Sequence, residues 1–306
     1  MVTKSKRAYV KKRLWQSREL YLLFAIPFVY YIIFRYGTMV WLTLAFRDFN
    51  PRLGLWGSPW VGFRHFRNFF AAPDFFRLIR NTVLLSTYQL LWFFPIPIIL
   101  ALMINEVRQS KIKKFIQSIS YLPHFFSVVI VAGMAVSFLT RDGLINQIVM
   151  FFGGDPIPFL LEPGWFRTIF ISTVVWQGAG WASILYLAAL SGVSPEFYES
   201  AVIDGASKLQ QIRYISIPSI APIISIQLLL SVGSMLNIGF ERVLLLYSGP
   251  VYETADIIAT FVFRRGLIAA DFGFGSAVSL FQSVISLFLI VAANGAAKKM
   301  GGTSLW

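Results

Sequence analysis

Long stretches without a single Asp, Glu, Lys or Arg divide this chain into blocks. They cover 81–105, 115–140, 168–195, 214–240 and 272–297. Each exceeds the roughly 20 residues an α-helix needs to cross a hydrocarbon core. A further apolar run, "LYLLFAIPFVYYIIF" (20–34), is interrupted by Arg35 and resumes as "YGTMVWLTLAF" up to Phe46. The simplest reading is one long tilted helix over about 18–46, with Arg35 against protein or water rather than lipid. The pattern therefore predicts an all-α membrane protein with six spans. Barrel strands are disfavoured, because they would show alternating segments of about ten residues. Proline pairs at Pro95/Pro97 and Pro218/Pro222 mark bends that neighbouring helices must re-satisfy.

The connections carry turn chemistry. The first, 47–75, holds "NPRLGLWGSPW" and then "VGFRHFRNFF", which reads as a short amphipathic surface helix. The second, 141–164, contains "GGDPIP" and "EPGW", and its uncharged piece 143–154 is too short to span. The third, 241–271, includes "YSGP" and "FRRG". The organisation expected is a basic tail 1–17, one transmembrane domain 18–297 and a short tail 298–306. The first span reads as a retained anchor, since no small-residue cleavage site follows it.

Composition sharpens the picture. Of 306 residues, 57% are apolar and 13% charged, against about 25% charged in a soluble domain. Most of the surface must face bilayer lipid. The net charge of +13 raises nucleic acid as a partner, but position argues against it. All ten lysines, with Arg7, Arg13, Arg18, Arg108 and Arg213, fall at the termini or in the two connections that follow spans 2 and 4. With six spans these lie on one side, which the positive-inside rule makes cytoplasmic, both termini included. The arginines Arg47, Arg52, Arg64, Arg67, Arg77 and Arg80 lie near the first outer connection, with Asp48 and Asp74 beside them. They fit lipid phosphates, an acidic partner surface or an acidic cargo, with Arg35 and Arg47 the candidates for cargo attraction. Cysteine is absent and His65 and His124 lie far apart, so no metal site is expected.

One polar stretch stands out among the apolar blocks: "YESAVIDGASKLQQIRYISIP" (198–218), in the loop between spans 4 and 5. Ser194, Pro195 and Glu196 read as a helix start, Gly205 as a break and Ser207 as the cap of a second short helix. A side chain at position 205 would add bulk at a close helix junction and face a positive φ. The spacing Glu-Ser-Ala-x-x-Asp-Gly-Ala, then eight residues, then Ile-x-Ile-Pro, closely resembles the cytoplasmic motif of binding-protein-dependent ABC importer permeases. Glu199, Ala201, Gly205, Ile215 and Pro218 match in register, and Asp204 and Ala206 match the version common in sugar permeases. Ser200 and Ile217 depart from it by small changes of volume. Further segments, among them "SPWVGFRHFRNFF" and "GFERVLLLYSGPVYETADIIATFVFRRGL", resemble the oligosaccharide branch labelled aldouronate or lipoprotein-linked sugar permeases.

That resemblance implies the six-helix type I permease fold and a coupling helix docking on a cytoplasmic ATPase. Its implied partners are a second permease chain of different sequence, two ATPase subunits and an extracytoplasmic solute-binding protein. The location implied is a bacterial inner membrane. ATP and Mg would sit on the ATPases, and this chain would bind no cofactor and perform no chemistry. Its cargo would be an oligosaccharide, with uronate-containing chains such as alginate within range. Consistently, the chain has no G-x-x-x-x-G-K-[ST] loop, and "LSGVS" (190–194) shares only three residues with an ATPase signature. Polar groups within or at the ends of spans, Asn81, Gln89, Trp176, Gln177, Trp181, Tyr186, Asn237 and Glu241, fit either interhelical bonding or a sugar pathway. Trp176, Gln177 and Trp181 are first choices for the pathway. An ion-gradient transporter or channel is the alternative, but would favour buried acids in the spans, and a membrane enzyme would need an acid-base constellation that the sequence does not offer.

Overall fold

The computed structural model describes residues 15–299. The expected tails fall outside that range over 1–14 and 300–306. Among the described residues the chain is helical, with one isolated antiparallel bridge between Arg47 and Trp60. The helices used below are α1 (Arg18–Phe46), α2 (Arg64–Phe70), α3 (Phe75–Asn105), α4 (Ser110–Tyr121), α5 (Val128–Leu139), α6 (Leu144–Phe151), α7 (Pro163–Ser191), α8 (Pro195–Ile203), α9 (Lys208–Gly233), α10 (Phe240–Leu246), α11 (Tyr252–Ala255), α12 (Ile258–Val262) and α13 (Phe272–Lys299). Six segments are long and apolar enough to cross a membrane: α1, α3, α5 with α6, α7, α9 and α13.

α7 is the axis of the bundle. Its buried residues Phe166, Phe170, Thr173, Gln177, Gly180, Ser183, Leu187 and Leu190 recur every three or four positions. That spacing lays one stripe along the helix, against which α3, α4, α5, α9 and α11 pack. At the end where α7 begins, Phe166 and Phe170 pack with Leu85, Val243, Leu246 and Ile257. At the other end Tyr186, Leu187 and Leu190 meet Ala101, Ile104 and Ile220. A third, aromatic cluster joins Phe69 of α2 to Phe261 and Phe274. Gly180 lets α4 approach: an added Cβ would lie 1.8 Å from the Ser120 carbonyl oxygen.

Three sequence expectations change. The first span is helical throughout but is not one α-helix. It is α-helical to Tyr31, π-helical over Ile32–Tyr36 and 3-10 over Gly37–Phe46. The last part leans on α13, while none of the apolar window of α1 is buried inside the chain. The uncharged block 115–140 is also not one helix. Pro123 removes a backbone donor, a 3-10 turn spans Leu122–Phe125, and the helix restarts at Val128 under a Ser127 cap. The third connection is no surface loop either. α10 to α12 bury Val243, Leu246, Ile257, Ile258 and Phe261 in the core.

Candidate functional site

The polar stretch 198–218 forms two short helices joined by a tight turn. Ser194 accepts from the Glu196 N–H, and Pro195 occupies the first helical position of α8. The α8 C-terminus closes with the Ala206 N–H donating to Ala201 C=O at 2.8 Å and the Gly205 N–H to Val202 C=O at 3.1 Å. That is a Schellman motif, which needs a left-handed residue at its centre, and Gly205 has φ +80°. Ser207 then caps α9 in a reciprocal box with Gln210. The turn is therefore specified locally, residue by residue. The expected crowding at Gly205 is absent: an added Cβ meets nothing within 4 Å, so only the backbone conformation excludes other residues.

Two contacts tie this loop to the spans. Lys208 Nζ lies 3.1 Å from a Glu106 carboxylate oxygen at the end of α3. The hydroxyls of Tyr198 and Ser216 pair at 2.9 Å across the π-helical turn Ile212–Ser216 that precedes Pro218. The opposite face of the loop is open. Phe197, Val202, Ile203 and Leu209 are 60% to 86% exposed. Glu199 and Asp204 are exposed as well and form no ion pair among the described residues. Ala201, Ala206 and Ile215 are half-buried, and Pro218 is exposed at the start of the straight part of α9. A rigid, partly apolar ridge with two free carboxylates is a surface for a protein partner.

A second polar group lies mid-bundle. Gln177 donates from Nε2 to the Phe126 carbonyl at 2.7 Å, at the break before α5. Arg242 of α10 donates to the Gln177 Oε1. Trp176 stacks on Phe126, and Trp181 lies parallel to His124 with centroids 4.5 Å apart. The break in the third span thus delivers His124 and Phe126 to the α7 aromatics. Both indoles remain nearly half exposed.

The other candidates scatter. Asn81 is fully buried, its amide donating to the carbonyls of Glu253 and Asp256. Tyr186 sits in the apolar cluster near the loop. Gln89 and Asn237 line a separate cavity of about 170 Å3 with Ser86, Ser231 and Ser234, and Glu241 is exposed. Arg35 lies on the exposed face of α1. The Arg47 guanidinium is held between Trp56 and Trp60 and donates to the carbonyls of Trp56 and Ser58.

Two features were not singled out in the sequence. One is Arg242, 8% exposed, with its Nη1 unpartnered. The other is the hub at Asp256, fully buried and held by both Arg264 Nη atoms at 2.7 Å, with Thr260 and Arg77 beside it. By accepting these hydrogen bonds the Asp256 carboxylate raises the Arg264 pKa. A lone arginine inside an apolar heptapeptide, "FERVLLL", was the available signal for Arg242.

Residues 93–300 match the family described as the binding-protein-dependent transport system inner membrane component. The chain belongs to that family. Membership decides for an ABC importer permease and against an ion-gradient transporter. The chain is 43% identical over 304 residues to the polygalacturonan/rhamnogalacturonan transport system permease protein YteP of Bacillus subtilis (strain 168), covering 99% of this chain and 95% of that protein. It superposes with TM-score 0.88 and 40% identity on a bacterial ABC transporter involved in the import of the acidic polysaccharide alginate, over 95% of this chain and 98% of that one. A second structure, of a bacterial alginate ABC transporter in complex with an alginate pentasaccharide-bound periplasmic protein, matches equally well, with TM-score 0.88 over 96% and 99% of the two chains. The permease is thus a multi-pass membrane protein of an oligosaccharide importer, and a solute-binding protein belongs to its context.

Proposed function

We propose that this chain is one of two permease subunits of an ATP-driven importer that carries an acidic, uronate-containing oligosaccharide from a solute-binding protein into the cytoplasm. The observation that carries the coupling part is the loop 194–211. It is locally locked, bonded to α3 through Glu106 and to α9 through Ser216, and open on the face bearing Glu199, Asp204 and Ile203. Two cytoplasmic ATPases dock there, one on this subunit and one on a second permease chain. Their closure on ATP and Mg moves the loop, and the two anchors pass the motion to the spans. This chain carries no catalytic residues of its own in that scheme. The named cargoes of the similar proteins, polygalacturonan and rhamnogalacturonan in one and alginate in the other, support an acidic sugar.

In this reading the loop faces the cytoplasm, as do both termini, and tags at positions 1 and 306 are labelled only from inside. The cargo is tested with the complete assembly, its cognate binding protein and its ATPases in vesicles. Oligogalacturonate or alginate oligomers are expected to stimulate ATP hydrolysis well beyond neutral oligomers of equal length. Equal stimulation by neutral sugars would remove the acidic cargo and leave the importer.

A further inference from the structure

A groove with a cavity of about 540 Å3 runs between α3 and α7, lined by Tyr88 and Trp92 on one side and by Gly164, Arg167, Thr168 and Ser172 on the other. Its volume falls in the range of sites for small ligands, about 300–1,000 Å3. The residues share faces because 88 and 92 are one helical turn apart, as are 164, 168 and 172. The groove adjoins the Trp176–Gln177 group, since Thr168 and Ser172 also line the cavity bordered by Trp176, but that group's ring stacking faces Phe126 and α5.

Arg167 is the unusual member. Arg77 and Arg264 discharge onto Asp256, and Arg64 onto Asp48. Arg167 enters no ion pair among the described residues. Its Nη2 reaches only the neutral Oδ1 of Asn81, at 3.4 Å, and its buried Nε has no acceptor. A half-buried cation beside an open cavity is costly until an anion joins it. Tyr88 and Trp92 are 39% and 57% exposed, so both rings are free to stack. Thr168 and Ser172 are exposed too, so their hydroxyls are open to a ligand in the groove.

We propose that this groove binds a carboxylate-bearing sugar unit. Arg167 forks onto the carboxylate, Tyr88 and Trp92 lie against the pyranose faces, and Thr168 and Ser172 meet ring hydroxyls. The proposal rests on the acidic-cargo reading above and assigns its recognition to a place on this chain.

The test is direct binding to the assembled transporter in lipid nanodiscs, without the binding protein. The probes are an oligogalacturonate and its methyl ester of the same length, which keeps the rings and removes the charge. Arg167→Gln is expected to raise Kd for the free acid about ten- to a hundredfold and to leave the ester unchanged, with Arg167→Lys recovering part of the loss. Trp92→Ala, at an exposed ring whose removal opens no core cavity, is expected to weaken both probes. It carries the test if Arg167→Gln fails to assemble. An unchanged ratio of acid to ester binding in Arg167→Gln, or unchanged binding of both probes in Trp92→Ala, overturns the groove. So does a loss that appears only when anionic phospholipid is present in the nanodisc, which would assign Arg167 to lipid phosphate. If the wild-type assembly prefers acid in the ATPase assay yet the variants bind normally, the groove fails and the cargo reading stands.

Discussion

Position 205 separates two causes that the sequence left mixed. Gly205 sits at φ +80° and an added Cβ meets no atom within 4 Å. Inside the chain, then, size costs nothing and conformation costs everything. An L-residue forced left-handed loses about 1–2 kcal/mol, a factor of about 5–30 in the population of the correct loop. Alanine should incur that cost, valine more because it is β-branched, and asparagine least, since its short amide supports this conformation. Asparagine is nevertheless larger than alanine. The expected order of cargo-stimulated ATP hydrolysis and of ATPase retention during purification is therefore Gly, then Asn, then Ala, then Val. Expression and membrane insertion should stay normal throughout. Crowding against the ATPase would instead rank alanine above asparagine, and that order would refute the conformational account. Wild-type coupling by the valine variant would refute the role of the loop altogether.

Gly180→Leu should separate α4 from α7, because even a Cβ would lie 1.8 Å from the Ser120 carbonyl. A loss of roughly 1–3 kcal/mol or more is expected, read as a lower melting temperature in detergent, and unchanged melting would show that α4 is free to shift. Asp256→Ala should strand the cation of Arg264, whose side chain is only 29% exposed, and cost about 3–5 kcal/mol. The double variant Asp256→Ala with Arg264→Met should recover part of that, as judged by thermal unfolding, and no recovery would refute the pairing as the cause. Glu106→Gln should leave folding and ATPase docking in place while reducing cargo-stimulated hydrolysis, if the 3.1 Å contact with Lys208 transmits motion. An unchanged stimulation ratio would confine that pair to surface solvation.

The sequence by itself determined the elements whose cause is local. Five of the six spans follow from uncharged or nearly uncharged runs, because each residue adds a fixed rise and hydrocarbon excludes charge, while the third shifts to Val128–Phe151 because of the break at Pro123. The loop 194–211 was legible down to Ser194, Gly205 and Ser207, since caps and a left-handed turn depend on residues within one helical turn. The motif around Glu199 and Gly205 carried the family for the same reason, being contiguous. Only the tertiary structure decided what distant segments do to one another. Arg47 was a candidate for cargo attraction, and packing wraps its guanidinium in two indoles and two carbonyls. Asn81 was a pathway candidate, and the fold directs its amide to backbone more than 170 residues away. The third connection read as turn chemistry from "YSGP" and "FRRG", yet α10 to α12 fill the core beside α7. Arg242 and Arg167 owe their character to what surrounds them. A sequence fixes that an arginine is charged, while whether an acid lies beside it depends on which helices meet.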